Sequence, residues 1–401
     1  MKAGTLFSLF YFFFYGYLVI PFSFYPLRLR EIGFSATQIG VVSTVANLSM
    51  MLGAIFSLQL AHRLSSERRL GYLWGLGTSI LLVPLLWFEE FAWIVALMGL
   101  AHFTHKGCGI LIDAWAVRSA AERGDFHFER TRLWGSIGFL LLSFMTGVLV
   151  DLFGTAIIIP LGIIIGAPIS LMASRILLTK PTRKKGHERH EEQRRDRGTT
   201  SSRPWFFSFL TLLIALALSF GSSAPMSIYL SVYLESIGWS ATFISLAWVI
   251  AVTAEVFFFQ FFKLIEVAFS LTTLFRISAL FTALRWLILY EFREPWIIFL
   301  SQILHAFSFG GLYLCSVKLA YQILPDDLRD RGQGWLISFG SGLGMLLGRI
   351  ISTYSAQNLK SFQEASTLFF PAAIASLLGF VVSYGIGWKK QGNIKANSNR
   401  R

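Results

Sequence analysis

The sequence predicts an all-α membrane protein of twelve transmembrane helices, arranged as two pseudo-symmetric six-helix bundles. Three observations predict it. Of the 401 residues, 54% are hydrophobic and only 14% are charged, against roughly 25% charged in a soluble domain, so most of the surface must face lipid. The apolar residues gather into twelve runs, each near the about 20 residues that a membrane helix needs. Finally, Leu29-Arg-Glu-Ile-Gly-Phe-Ser-Ala-Thr-Gln-Ile39 returns 205 residues later as Leu234-Glu-Ser-Ile-Gly-Trp-Ser-Ala-Thr-Phe-Ile244, each copy lying between two apolar runs. Self-similarity at one large offset marks an internal duplication. A duplicated membrane protein with one site between its halves is most often a secondary transporter.

The expected spans, in order, are 6–27, 38–61, 70–88, 92–117, 131–153, 155–178, 205–230, 241–263, 268–290, 296–322, 333–354 and 367–388. The first sits where a signal peptide would. Pro21 and Pro26 near its end, and its pairing with the seventh span in the repeat, mark it instead as a retained helix. Gly33 lets the chain reverse before the second span, where Ser35 and Gln38 have capping-box spacing. In the second copy Ser240 can cap, but Phe243 cannot reciprocate. The eleventh span carries Gly340, Gly344 and Gly348 at four-residue spacing, which lets a neighbouring helix approach closely. The spans divide into an N-terminal bundle (1–178), a linker (179–204), a C-terminal bundle (205–390) and a tail (391–401).

Basic residues set the expected orientation. The net charge is +13, with nine Lys or Arg between Lys180 and Arg203 and more in the 2–3 loop, the 4–5 loop and the tail. The opposite side carries Arg28, Arg30, Arg293 and Lys360. This asymmetry puts both termini in the cytoplasm. It also argues against nucleic acid, because the charges are topological and membrane-surface charges. The linker has no apolar periodicity and reads as a segment without fixed structure. Its His187 and His190 lack the further ligands of a metal site and read as part of a solvated charge run. Cys108 and Cys315 lie in apolar runs and indicate neither a disulfide framework nor a thiolate metal site.

The chemistry should lie where charge enters the bilayer, since a charge at the centre of a membrane helix costs about 2.5–3.5 kcal/mol on insertion scales. The acids clearly inside spans are Asp113 and Glu255; the bases are Lys106, Arg285, Lys318 and Arg349, with His102, His105 and His305 among them. His102, Lys106 and Asp113 stand at i, i+4 and i+11 and share one face of the fourth span. Such a face needs water, substrate or an ionic partner, with Lys106 or Arg132 available to Asp113. Glu255 sits among apolar neighbours, which favour its neutral form. A carboxyl that exchanges a proton when substrate arrives is a coupling device; the alternative is a permanent pair with Arg285. Tyr11 and Tyr15 are one turn apart on the first span and either line a cavity or pack against neighbours. Lys318, near a helix end, can snorkel.

At these residues the chain resembles the major facilitator superfamily, in the branch that holds the lactose permease and the phenylpropionate permease, with nucleoside–proton symporters as relatives. The resemblance rests on Tyr11-Phe-Phe-Phe-Tyr-Gly16, Arg130-Thr-Arg-Leu-Trp-Gly-Ser-Ile-Gly138, Ala254-Glu255-Val with Leu284-Arg285-Trp, and Gln302-Ile-Leu-His305 with Val317-Lys318. It implies that Glu255, Arg285 and His305 couple substrate binding to proton movement. It also implies that Arg132 and Asp113 contact substrate. The chain departs from the lactose permease where that protein has a second acid one turn after the histidine; here the place is Ser308. The 2–3 loop, Ala61-His-Arg-Leu-Ser-Ser-Glu-Arg-Arg69, keeps only the basic end of the superfamily motif. The His102, His105, Lys106 cluster is not expected of the branch and indicates an anionic substrate.

The expected function is therefore proton-coupled import of a small organic solute, an organic acid, sugar or nucleoside, by alternating access. The protein would act as a monomer in the plasma (inner) membrane, with no cofactor beyond the proton gradient. The expected substrate contacts are Asp113, Arg132, His102, Lys106, Tyr11 and Tyr15; the coupling set is Glu255, Arg285 and His305. The rivals are a proton-antiport exporter and a membrane ligand sensor. The sensor would need a signalling domain, and the tail after Trp388 is 13 polar residues. An enzyme is not expected, because no metal spacing or paired carboxylates occur in neighbouring turns.

Overall fold

The structure, a computed structural model, describes residues 3–64, 67–123, 126–177 and 204–387. The linker over 179–203 and the tail lie outside the described residues, as do His187 and His190. Twelve helices are long and apolar enough to cross a membrane: α1 Gly4–Glu31, α2 Ala36–Ala61, α3 Arg69–Leu86, α4 Phe91–Ala120, α5 Arg130–Phe153, α6 Thr155–Ile176, α7 Trp205–Ser236, α8 Ala241–Ala268, α9 Leu271–Glu291, α10 Pro295–Ile323, α11 Arg331–Asn358 and α12 Phe362–Gly385. Several run further than their apolar stretch. α7 continues to Ser236 and α8 to Ala268, because hydropathy marks the lipid-spanning part while hydrogen-bonded turns persist beyond it. Large apolar side chains such as Leu264 (70% exposed) and Phe207 (72%) cover the outside, a continuous apolar surface that only lipid or protein would cover.

The repeated stretch makes the same turn twice. Gly33 (φ +92°) and Gly238 (φ +97°) both occupy the left-handed region, which side chains avoid. Ser35 and Gln38 form the reciprocal capping box: the Gln38 amide donates to Ser35 Oγ at 3.3 Å, and the Ser35 amide donates to Gln38 Oε1 at 2.9 Å. In the second copy Ser240 Oγ accepts from the Phe243 amide at 3.3 Å. The partner that Phe243 cannot be comes from the other half. Asp151, at the end of α5, accepts from the Ala241 and Thr242 amides at 2.7 and 2.9 Å. A carboxylate at a helix N-terminus meets both unpaired N–H groups and the positive end of the helix dipole. The glycines of α11 serve packing: a Cβ on Gly344 would meet the Ala217 backbone, and one on Gly348 the Gly221 backbone, both on α7.

With six spans in each half, residues 3, 177, 204 and 387 all lie at one end of the bundle. At the opposite, far end the halves are joined. Tyr229 donates to the Ala36 carbonyl at 3.1 Å, Thr44 meets Thr353 at 3.2 Å, and Arg349 donates to the Ser43 carbonyl at 3.1 Å. Arg30 meets Glu235 at 2.6 Å. Those last two residues are 205 apart, so the duplication places them at equivalent positions, and they carry opposite charges. Residues on a dyad meet their own equivalents, which puts this pair on the pseudo-two-fold axis. Every hydrogen bond and ion pair crossing between the halves among the described residues belongs to this end.

Reversing one of the charges, Arg30→Glu or Glu235→Arg, sets like charge against like on that axis. Labelling of far-end positions by a membrane-impermeant thiol reagent should then rise about two- to five-fold, the scale of a partly exposed pair. The double swap should return it to the wild-type level. Unchanged labelling in both single variants would show that the pair does not hold the end shut.

Candidate functional site

The C-terminal half builds its part of the site around one guanidinium. Arg285 on α9 is fully buried, so each N–H needs an acceptor. α10 supplies them. Arg285 donates to Gln302 Oε1 at 2.5 Å, to His305 Nδ1 at 2.9 Å and to Ser308 Oγ at 3.0 Å. Gln302 lies in the regular α-helical part of α10, Pro295–Ile303, and Ser308 in the π-helical stretch Ala306–Gly311 that follows, the kind of local break that marks functional sites. A guanidinium only donates, so His305 Nδ1 must accept, and the neutral imidazole carries its proton on Nε2. That atom faces Glu255 Oε2 of α8 at 3.6 Å. Glu255 therefore addresses His305, while Arg285 donates to neutral acceptors and stands in no ion pair with Glu255 among the described residues.

The N-terminal half contributes a second cation. Arg132, on the first turn of α5, lies 3.9 Å above the Tyr15 ring and 5.5 Å from that of Tyr11. Tyr11 donates to Asp113 Oδ1 at 2.8 Å, and Lys106 is within electrostatic reach of both Asp113 and Arg132. Arg132 stands in no ion pair among the described residues. Its guanidinium is held by aromatic faces, an attraction worth about 0.5–2 kcal/mol that leaves its N–H donors for another acceptor.

Both groups line one cavity of about 370 Å³ between the halves, walled by Tyr15, Arg132, Glu255, Arg285, His305 and Ser308. Phe22, Phe139, Phe220, Trp248 and Phe309 complete it, with Ser136, Ser223 and Ser227 as further polar positions. Phe139 and Trp248 meet edge to face across the two halves at 6.4 Å. Tyr11, Lys106 and Asp113 stand behind Arg132 and Tyr15 rather than at the wall. His102 does not line the cavity. It is 1% exposed and its Nδ1 lies 2.6 Å from the Met98 carbonyl, beside α2 and α11. The shared face of α4 is real, but along a 30-residue helix one stripe passes different neighbours at different depths. His105 is stacked between Phe14 and Tyr17, with centroids at 4.0 and 4.7 Å. Lys318 pairs with Glu266.

The sequence reading missed Gln302, whose role as acceptor for Arg285 depends on how α9 and α10 pack. It missed the cavity aromatics Phe22, Phe139 and Trp248 too, which nothing separates from lipid-facing aromatics before the fold is known.

The sequence model of the MFS_1 like family matches residues 5–364. The chain belongs to that family. Among curated relatives it is 26% identical over 273 residues to the maltose permease of Geobacillus stearothermophilus, covering 68% of this chain and 66%, just under two thirds, of the permease. It is 27% identical over 319 residues to the probable 3-phenylpropionic acid transporter of Escherichia coli (strain K12), covering 77% of this chain and 79% of that protein. The fold matches the nucleoside transporter NupG with a TM-score of 0.76 at 15% identity, over 97% of this chain and 100% of that one. It also matches a peptide transporter POT with a TM-score of 0.73 at 13% identity, over 96% and 93%. This MFS protein is a membrane transporter and not an enzyme. Its central cavity lies at the junction of the duplicated halves, where such transporters bind their cargo.

Proposed function

We propose that the protein imports a small aromatic carboxylate together with a proton. The observation that carries this reading is the charge of the cavity wall: among the described residues, two guanidiniums, Arg132 and Arg285, stand against a single carboxyl, Glu255. Arg285 is occupied by three neutral acceptors, and Arg132 rests on aromatic faces. A carboxylate is the planar partner that a guanidinium fork fits best. The flat aromatic walls would take an apolar ring. A sugar would need many paired polar groups, and the wall offers serines and aromatics instead. A relative described as a probable 3-phenylpropionic acid transporter agrees with this reading.

Glu255 would carry the proton. With Glu255 ionised, its charge faces the Nε2–H of His305 at 3.6 Å; with Glu255 protonated, the wall holds one more uncompensated positive charge and receives the anion. Substrate and proton thus favour each other's binding, as symport requires. Far-end closure would be the inward-facing stage of an alternating cycle, with the termini cytoplasmic.

The test is uptake into vesicles of 3-phenylpropionate against its uncharged analogue 3-phenylpropan-1-ol, in competition with maltose and uridine. Saturable uptake of the acid, driven by an inward proton gradient and not reduced by the others, is expected. Uptake of maltose or uridine in its place would overturn the substrate class.

A further inference from the structure

One buried cation stands outside this site. Arg349 on α11 is 2% exposed. Among the described residues it is in no ion pair, it donates across the halves to the Ser43 carbonyl at 3.1 Å, and its Nε has no acceptor. Around it lie further unsatisfied atoms: His102 Nε2 and Asn47 Oδ1 are both buried without a partner. They border a void of about 10 Å³ whose wall includes Phe22, Ser43, Asn47 and His102, room for about one water molecule. The Arg349 guanidinium is 5.9 Å from the ring of Phe22, and Phe22 also lines the central cavity. Met345, one turn before Arg349, lines it too. Phe22 and Met345 thus form a partition with the substrate cavity on one side and Arg349 on the other.

An unpaired buried charge is strongly unfavourable, and a single backbone carbonyl is poor compensation. The carbonyl that Arg349 holds belongs to α2, in the half that must move away when the far end opens. Opening would break that bond and turn the guanidinium, with His102 beside it, toward the vestibule above the partition. We infer that Arg349 is the docking point for the substrate's carboxylate in the outward-open state, a second anion site in line with Arg132. This inference rests on the proposed anion import and adds the station that precedes the central cavity. It also gives roles to His102 and Arg349, which the central site does not use. Phe22 becomes the residue that must move for the anion to pass from one guanidinium to the other.

The test is equilibrium binding of 3-phenylpropionate to the purified full chain in two forms, one free and one with the far end shut by a short bis-maleimide across Arg30→Cys and Glu235→Cys. In the free form, Arg349→Gln should weaken binding at least ten-fold and Arg349→Lys should restore most of it. In the shut form, where the guanidinium is sealed away, Arg349→Gln should change binding less than two-fold. A residue that merely clamped α2 to α11 would behave otherwise. Its loss would release the far end, raise thiol labelling there and leave affinity unchanged or tighter, which would overturn the docking assignment. Equal weakening in both forms would also overturn it, by placing the effect in the central cavity. Wild-type protein that binds no 3-phenylpropionate would remove the anion reading itself and this inference with it. Binding in which Arg349→Gln matches wild type would remove this inference alone.

Discussion

Glu255→Gln is expected to lower proton-driven accumulation of 3-phenylpropionate about 100-fold, the low end of what a positioned proton-transfer group contributes. The amide cannot exchange a proton, yet it keeps the size of the acid and mimics its neutral form. Binding and substrate exchange across the membrane should therefore survive, because the wall then presents both guanidiniums without a competing carboxylate. The separation of the two readouts is the point of the experiment. A residue needed only for packing would lose binding, exchange and accumulation together. The geometry behind the expectation is the one acid at the cavity wall among the described residues, facing the protonated nitrogen of His305 at 3.6 Å. Retained accumulation in Glu255→Gln would move the proton to another group.

Arg132→Gln should weaken binding of the carboxylate roughly 10- to 150-fold, the loss of about 1.5–3 kcal/mol that accompanies removal of a charged hydrogen bond. Binding of the uncharged alcohol should change little. Arg132→Lys should recover only part of the loss, because an ammonium keeps the charge but neither the two-pronged donor geometry nor the flat stack on Tyr15 at 3.9 Å. Titration of 3-phenylpropionate and 3-phenylpropan-1-ol against the three proteins measures this directly. Equal losses for acid and alcohol would make Arg132 a wall residue rather than an anion contact.

Much of this architecture was legible in the sequence because membranes impose simple rules. Apolar length gave the twelve spans, and Gly33 and Gly238 gave the two turns, since a left-handed residue there leaves little choice. The intramembrane charges gave Glu255, Arg285 and His305, which the fold brings together, and Arg132, which faces them. What stayed hidden depends on tilt and on local breaks in helix geometry. The fourth-span stripe of His102, Lys106 and Asp113 splits between two depths, and a helical wheel carries no depth. Ser308, which accepts from Arg285, lies in a π-helical stretch that no residue pattern announces. Asp151 capping α8 illustrates a third limit. The missing cap at Phe243 was visible as a gap, but its filler comes from 90 residues earlier in the chain.

The central claim is that one substrate negative charge enters with one proton on Glu255, so that the loaded carrier moves no net charge. The most direct test is accumulation of 3-phenylpropionate in proteoliposomes, under an imposed pH gradient and separately under an imposed membrane potential. The account predicts accumulation that follows the pH gradient and changes less than two-fold under a 100 mV potential of either sign. Each net charge moved would contribute about 2.3 kcal/mol per 100 mV, roughly a 50-fold change in accumulation. A potential-driven change of that size, or accumulation indifferent to the pH gradient, would contradict it.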